Sequence, residues 1–208
     1  MAKATKKPAG KVRSLEKPMA YLLTVGGAVG LLASMILSVD KLNLLKNPHL
    51  QLNCDLNPVV SCGSVMQSAQ ASIAGIPNSF FGIATFAALM AIGAGMLAGA
   101  TYKRWFWLAL EGGMLAGLVF ALWLFFQSMY RIKALCPYCL TTDVVVITLL
   151  WYNSLFLLEQ GHIKVKGAWA TAANFARRHH LDILVVIFLV MIAEILHNFW
   201  YYYGQFFS

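Results

Sequence analysis

The sequence predicts an all-α polytopic membrane protein, and three observations carry that prediction. Of its 208 residues, 60% are hydrophobic and only 12% charged, with a mean hydropathy of +0.68. A soluble domain is nearer half apolar and a quarter charged. Five stretches, residues 19–39, 79–100, 105–129, 137–158 and 181–203, are long and apolar enough to cross a membrane, since a hydrocarbon core of ~30 Å takes about 20 residues per helix. The basic residues divide unevenly between the segments that join these stretches. These segments leave little chain for a separate soluble domain, so one transmembrane domain is expected over residues 19–208 behind a basic tail, residues 1–18.

The tail, "MAKATKKPAGKVRSLEKP", looks like the basic region of a secretory signal, but no A-x-A-like cleavage site closes the apolar run that follows. It is read as the flank of an uncleaved first span. It holds six basic residues; Lys103 and Arg104 follow the second span, and Lys164, Lys166, Arg177 and Arg178 follow the fourth. The opposite side carries Lys41, Lys46, Arg131 and Lys133. The positive-inside rule then places the N-terminus in the cytoplasm and, after five crossings, the C-terminus outside. The charges scatter over three short flanks without interleaved aromatics, which argues against nucleic acid as a partner. Membrane lipid is the surface they meet.

The first outer segment, residues 40–78, holds Cys54 and Cys62. It opens with Asn, Asp, Pro and Gly, which favour turns, so Cys54 is expected on a mobile, exposed loop. Ser64 and Gln67 have the spacing of a capping box, and Val65, Ala69, Ile73 and Ile76 recur at helical spacing. A short amphipathic surface helix is therefore expected, ended by Gly75 and Pro77. His49 is expected to be solvated. In the second span, "FAALMAIGAGMLAGA" reads as close helix packing. Glu111 in the third falls near the cytoplasmic end, where snorkelling to water accounts for it.

The fourth span opens with "CPYC", Cys136 to Cys139. Pro137 suits the first helical position, because its missing N–H would be unpaired there. Cys136 is then the approximate N-cap, where the helix dipole and free N–H groups favour a thiolate. A C-x-x-C pair at that position can cycle between dithiol and disulfide. Cys139, one turn deeper, sits at the bilayer edge within reach of a lipid-dissolved electron carrier, and a quinone is the common one. Asp143 lies a further turn down on about the same face, placed to tune a thiolate or relay a proton. Glu194 and His197 in the fifth span have no evident partner, and "FWYYYGQFF" at residues 199–207 fits an outer aromatic belt. All four cysteines fall on the outer side, where disulfides persist. Two other readings of them were weighed. Stapling disulfides would each contribute about 2–4 kcal/mol, and a zinc site would need better ligand spacing than C-x7-C and a nearby histidine.

The run C-x7-C-G-S-V, then G-I-P-N-S-x-x-G, then C-P-Y-C-L-T-T resembles the vitamin K epoxide reductase family in its bacterial form, without the fused thioredoxin-like domain that some members carry. The resemblance implies a four-helix bundle around a quinone pocket, with the fifth helix outside it. It implies that Cys54 meets a DsbA-like thioredoxin-fold partner outside the bacterial inner membrane and that Cys62 exchanges with Cys136. It further implies that Cys139 adjoins the quinone, Asn78 hydrogen-bonds the quinone carbonyl, and Met66 covers the pocket. The quinone would be menaquinone or ubiquinone, with Asp143 in the same pocket. In animal members a tyrosine stands at the position of Asp143, and an acid there argues against anticoagulant binding and epoxide reduction. The implied activity is a quinone-linked thiol–disulfide oxidoreductase supporting disulfide formation. The competing functions are a DsbB-type oxidase, whose cysteine pairs come in the opposite order, and a transporter or metal-handling protein with structural cysteines.

Overall fold

A computed structural model describes residues 16–163 and 165–204. The basic tail before residue 16, Lys164 and residues 205–208, which include the last three of the aromatic stretch, lie outside the described residues. Among the described residues, five helices are long and apolar enough to cross a membrane. These are α1 (Glu16–Lys46), α3 (Asn78–Leu97), α4 (Arg104–Gln127, continued by a π turn over Ser128–Ile132), α5 (Pro137–Glu159) and α7 (His180–Asn198). The protein is a multi-pass, all-α membrane protein.

α1 is the central element: it packs along α3 and against α5, and α5 packs against α4. The first contact is close because the sequence puts glycine there. A Cβ on Gly27 would lie 2.6 Å from the Met90 backbone N, and one on Gly93 2.5 Å from that of Thr24. Where no water drives helices together, such backbone proximity supplies the dispersion contacts that hold them. Large side chains fill the half of the bundle away from the cysteines, with Trp107 against Phe156 at 4.7 Å between ring centroids and Leu23, Leu149 and Leu157 around them. α3 and α4 do not pack closely on each other, and residues of both line a cavity in the half of the bundle that holds the cysteines. α7 packs outside the four-helix group. A helix that the sequence reading did not anticipate, α6 (Ala168–Arg178), precedes it, its small side chains facing the protein and Trp169 and Phe175 exposed.

The surface helix of the first outer segment is shorter than the spacing suggested. α2 covers only Cys62–Gln67. Its N-cap is Ser61, whose hydroxyl accepts from the Ser64 N–H at 3.1 Å, so Ser64 is inside the helix and does not cap it. Beyond a 3₁₀ turn at Ala69–Ala71 the chain is extended: β1 (Ser72–Ile73) pairs antiparallel with β2 (Ile76–Pro77). The tight turn between them puts both Ala74 and Gly75 at positive φ, a backbone that suits a two-residue hairpin and that glycine adopts freely. Ile73 and Ile76 have helical spacing in sequence but meet across a ladder in space. Glu111 is also placed otherwise than expected. It does not snorkel; it turns into the bundle and accepts from Asn153 Nδ2 at 2.6 Å and Ser154 Oγ at 2.5 Å. Two donors on α5 make the interior position affordable for a carboxylate. Glu194 accepts from the Tyr130 hydroxyl at 3.4 Å.

Candidate functional site: two cysteine pairs at the mouth of an apolar cavity

The end of α1 and the segment after it fold back over the cysteine-bearing end of the bundle. Cys54 and Cys62 are joined by a disulfide there. Contrary to the expectation of an exposed loop, Cys54 is only 7% exposed, packed with Leu37, Leu44, Leu52 and Met66. The turn residues that suggested mobility instead fold the loop tightly. Asn57 Oδ1 accepts from the Val59 and Val60 N–H groups. Asp55 accepts from the Leu52 N–H at 3.0 Å, the Ser61 hydroxyl at 2.9 Å and the Gly63 N–H at 2.9 Å.

Partial burial opposes the charge on Asp55, but these donors, with the Cys62 N–H, outweigh it and hold the carboxyl below its ordinary 3.8. A carboxyl with a depressed folded pKa adds stability that is complete above its unfolded value and is lost as pH falls through the folded one. Reduction of the Cys54–Cys62 disulfide by a water-soluble phosphine should therefore be slow at neutral pH and accelerate below about pH 4. Asp55→Asn should already react fast at neutral pH, with a flat profile. An unchanged wild-type rate down to pH 2.5 would mean that Asp55 does not hold the loop.

The second pair lies beside the first. Pro137 opens α5, and Cys136 caps it, its Sγ accepting from the Cys139 N–H at 3.4 Å. Cys136 Sγ lies 3.6 Å from Cys62 Sγ, and both residues are buried, at 2% and 0% exposure. The Cys139 thiol donating to Cys136 is the largest influence on it. Burial opposes, the N–H groups of Cys139 and Tyr138 reinforce, and the net effect lowers the Cys136 pKa. A short backbone ladder brings the sulfurs together. Leu135 N–H donates to Val59 C=O at 2.7 Å, and Ser61 N–H donates to Leu135 C=O at 2.9 Å. Each strand then continues directly into its cysteine.

Cys136, Cys139, Met66, Asn78 and Asp143 all line the cavity of about 230 Å³ between α1, α3, α4 and α5. Its walls are mainly apolar, with Leu37, Phe81, Phe86, Phe120 and Phe125 prominent. Asn78 begins α3 and donates from Nδ2 to the Gln70 carbonyl at 2.7 Å, while its buried Oδ1 has no hydrogen-bond partner. Lys41 was not singled out from sequence, yet it also lines the cavity and donates from Nζ to the Met66 carbonyl at 2.5 Å, tying α2 to α1. Its only sequence signal was a cation just past an apolar stretch.

A family model for the vitamin K epoxide reductase family matches residues 21–154. That span takes in α1 through most of α5, both cysteine pairs and every cavity-lining element. The chain belongs to the vitamin K epoxide reductase family. A comparison with the curated proteins returns no match. Membership makes the chain a membrane oxidoreductase of the general thiol–disulfide and quinone class. The cavity suits a quinone on its own terms: aromatic and aliphatic walls for the ring and tail, and an orphaned amide oxygen on Asn78.

Proposed function

We propose that this vitamin K epoxide reductase family member re-oxidises an extracytoplasmic, DsbA-like thioredoxin-fold partner and passes the electrons through Cys54–Cys62 and Cys136–Cys139 to a membrane quinone. The observation that carries this reading is the 3.6 Å approach of Cys62 to Cys136, with Cys139 lining the adjoining cavity. Residues 19–208 act as a single transmembrane domain with all four cysteines on the outer side of a bacterial inner membrane.

A partner dithiol attacks Cys54, breaks its bond to Cys62 and leaves as a disulfide, and Cys54 and Cys62 become thiols. The Cys62 thiolate then attacks Cys136 Sγ of the Cys136–Cys139 disulfide, and Cys139 leaves as a thiolate. Cys54 attacks Cys62 and releases Cys136. The result is an oxidised outer pair and a reduced inner pair, the covalent arrangement described above. A bound quinone takes up the two electrons and, with them, two protons. Cys139 faces that site, and its sulfur rejoins Cys136 as the electrons leave. The second Nδ2 hydrogen of Asn78 donates to a carbonyl oxygen and its Oδ1 accepts from a hydroxyl, so one side chain serves the ligand in either redox state. Met66 closes the cavity from above. Asp143 lines it from α5 and carries a proton toward the ligand.

The test is anaerobic. Protein reduced at both pairs is mixed in detergent with one equivalent of a soluble menaquinone or ubiquinone analogue, and quinol absorbance is followed. Expected is one quinol per reduced inner pair and its recovery as a disulfide. No quinol from either analogue would overturn the reading.

A further inference from the structure

The family match ends at residue 154, so α7 lies outside it. Along most of its length α7 exposes apolar side chains, as a helix facing lipid does: Val185, Val186, Leu189, Val190 and Ile192 are each more than half exposed. Its end behaves differently. Phe199, the residue that ends α7, is 0% exposed and is the largest fully buried side chain among the described residues. It packs in one cluster with Val59, Met129 and Leu135, with Ile195 and Leu140 against the rim. Val59 and Leu135 are the residues joined by the 2.7 Å ladder hydrogen bond, and their strands lead into Cys62 and Cys136. The Tyr130 hydroxyl, one residue from Met129, donates to Glu194 and ties the same end of α7 to the π turn.

A ladder of two backbone hydrogen bonds is weak by itself, each worth about 0.5–1.5 kcal/mol net. Apolar cover excludes water from it and adds the burial of a full aromatic side chain. We infer that the end of the fifth span is a positioning device for the cysteine relay: Phe199 clamps the Val59–Leu135 ladder and thereby holds Cys62 against Cys136. The inference rests on the relay proposed above. Phe199 touches neither sulfur and does not itself line the cavity, so it is a positioning residue, and its removal lowers the effective concentration of Cys62 at Cys136.

In Cys54→Ser protein, Cys62 is free, and its attack on an oxidised Cys136–Cys139 pair forms a Cys62–Cys136 mixed disulfide that only the released Cys139 thiolate can reverse, so acid quench and alkylation of Cys139 trap it. The rate and yield of that species are read by alkylation and mass spectrometry, with and without Phe199→Ala. Expected is a fall of about tenfold with Phe199→Ala, on the scale of losing a fixed near-attack geometry. Phe199→Leu should recover most of it. Quinone reduction by the chemically reduced inner pair should stay within about twofold in the same variants, since proximity at the outer pair does not enter that step. No mixed disulfide in Cys54→Ser alone would fail the relay itself. A trap in Phe199→Ala as fast and complete as in its parent would overturn the clamp. So would a loss of quinone reduction as large as the loss of trapping, because it would mark a general packing defect. If Phe199→Ala does not accumulate, Phe199→Leu is compared with Ile195→Ala by the same two readouts, and equal trapping in both and the parent overturns the clamp.

Discussion

Cys139→Ser is expected to lower quinol formation by on the order of 1,000-fold or more, because the substitution removes the cavity-lining thiol with which Cys136 closes the inner disulfide as electrons leave. The loss should come with a covalent signature. With the outer pair oxidised, Cys136 Sγ lies 3.6 Å from Cys62 Sγ, within reach of attack. In the wild type a mixed disulfide formed by that attack is resolved by Cys139. In Cys139→Ser only Cys54 can resolve it, by re-forming Cys54–Cys62, so Cys62–Cys136 with Cys54 free should stand at a larger steady fraction than in the wild type. Peptide mapping under acid quench checks the linkage, and a stopped-flow trace checks the quinol. Wild-type quinol formation in the variant would show that the electrons bypass Cys139, and the inner half of the relay would be wrong.

Asn78→Ala is expected to lower kcat/KM for the quinone by about 10- to 100-fold, with most of the loss in KM. The range corresponds to roughly 1.4–2.8 kcal/mol, the scale of losing one or two hydrogen bonds in a buried site. Asn78 lines the cavity and is the first residue of α3, and it also holds the Gln70 carbonyl at 2.7 Å. The variant thus removes the ligand's polar contact and frees the hairpin segment above it. Trapping of Cys62–Cys136 in the Cys54→Ser background should remain within about twofold, since no part of the Val59–Leu135 ladder involves Asn78 and distant sites act independently. Steady-state kinetics against two quinone concentrations series, one per variant, read the split directly. An unchanged KM would remove Asn78 from the quinone site.

The elements that were legible in the sequence are those set by local chemistry. Pro137 after Cys136 marked the start of α5 because proline's missing N–H suits a helix's first turn, and Cys136 does cap that helix. Five apolar stretches marked five helices because every backbone group must be satisfied within the bilayer. The motifs around Asn78, Cys136 and Cys139 carried the family. Where the reading failed, two local patterns were equally good or a distant partner decided. Val65, Ala69, Ile73 and Ile76 satisfied a helical period, but Ala74 and Gly75 could also turn a hairpin, and the hairpin won. The capping-box spacing pointed to Ser64, but Ser61 caps the helix, and Asp55 holds that start by accepting from Ser61 and Gly63 together. Glu111 was taken for a snorkelling residue because Asn153 and Ser154, its donors, lie more than forty positions away.

The sequence by itself determined that the chain is a helical membrane protein, that one dithiol opens a span, and which family it resembles. These follow from composition, capping and contiguous motifs, each a property of neighbours in the chain. Only the tertiary structure decided that Cys54 is buried, that Lys41 ties α2 down, that a ladder between Val59 and Leu135 sets Cys62 against Cys136, and that Phe199 at the end of the last span packs on that ladder. Those are contacts between segments up to about 140 residues apart. No pattern of near neighbours encodes them, because the free energy that selects them comes from burying distant side chains against one another.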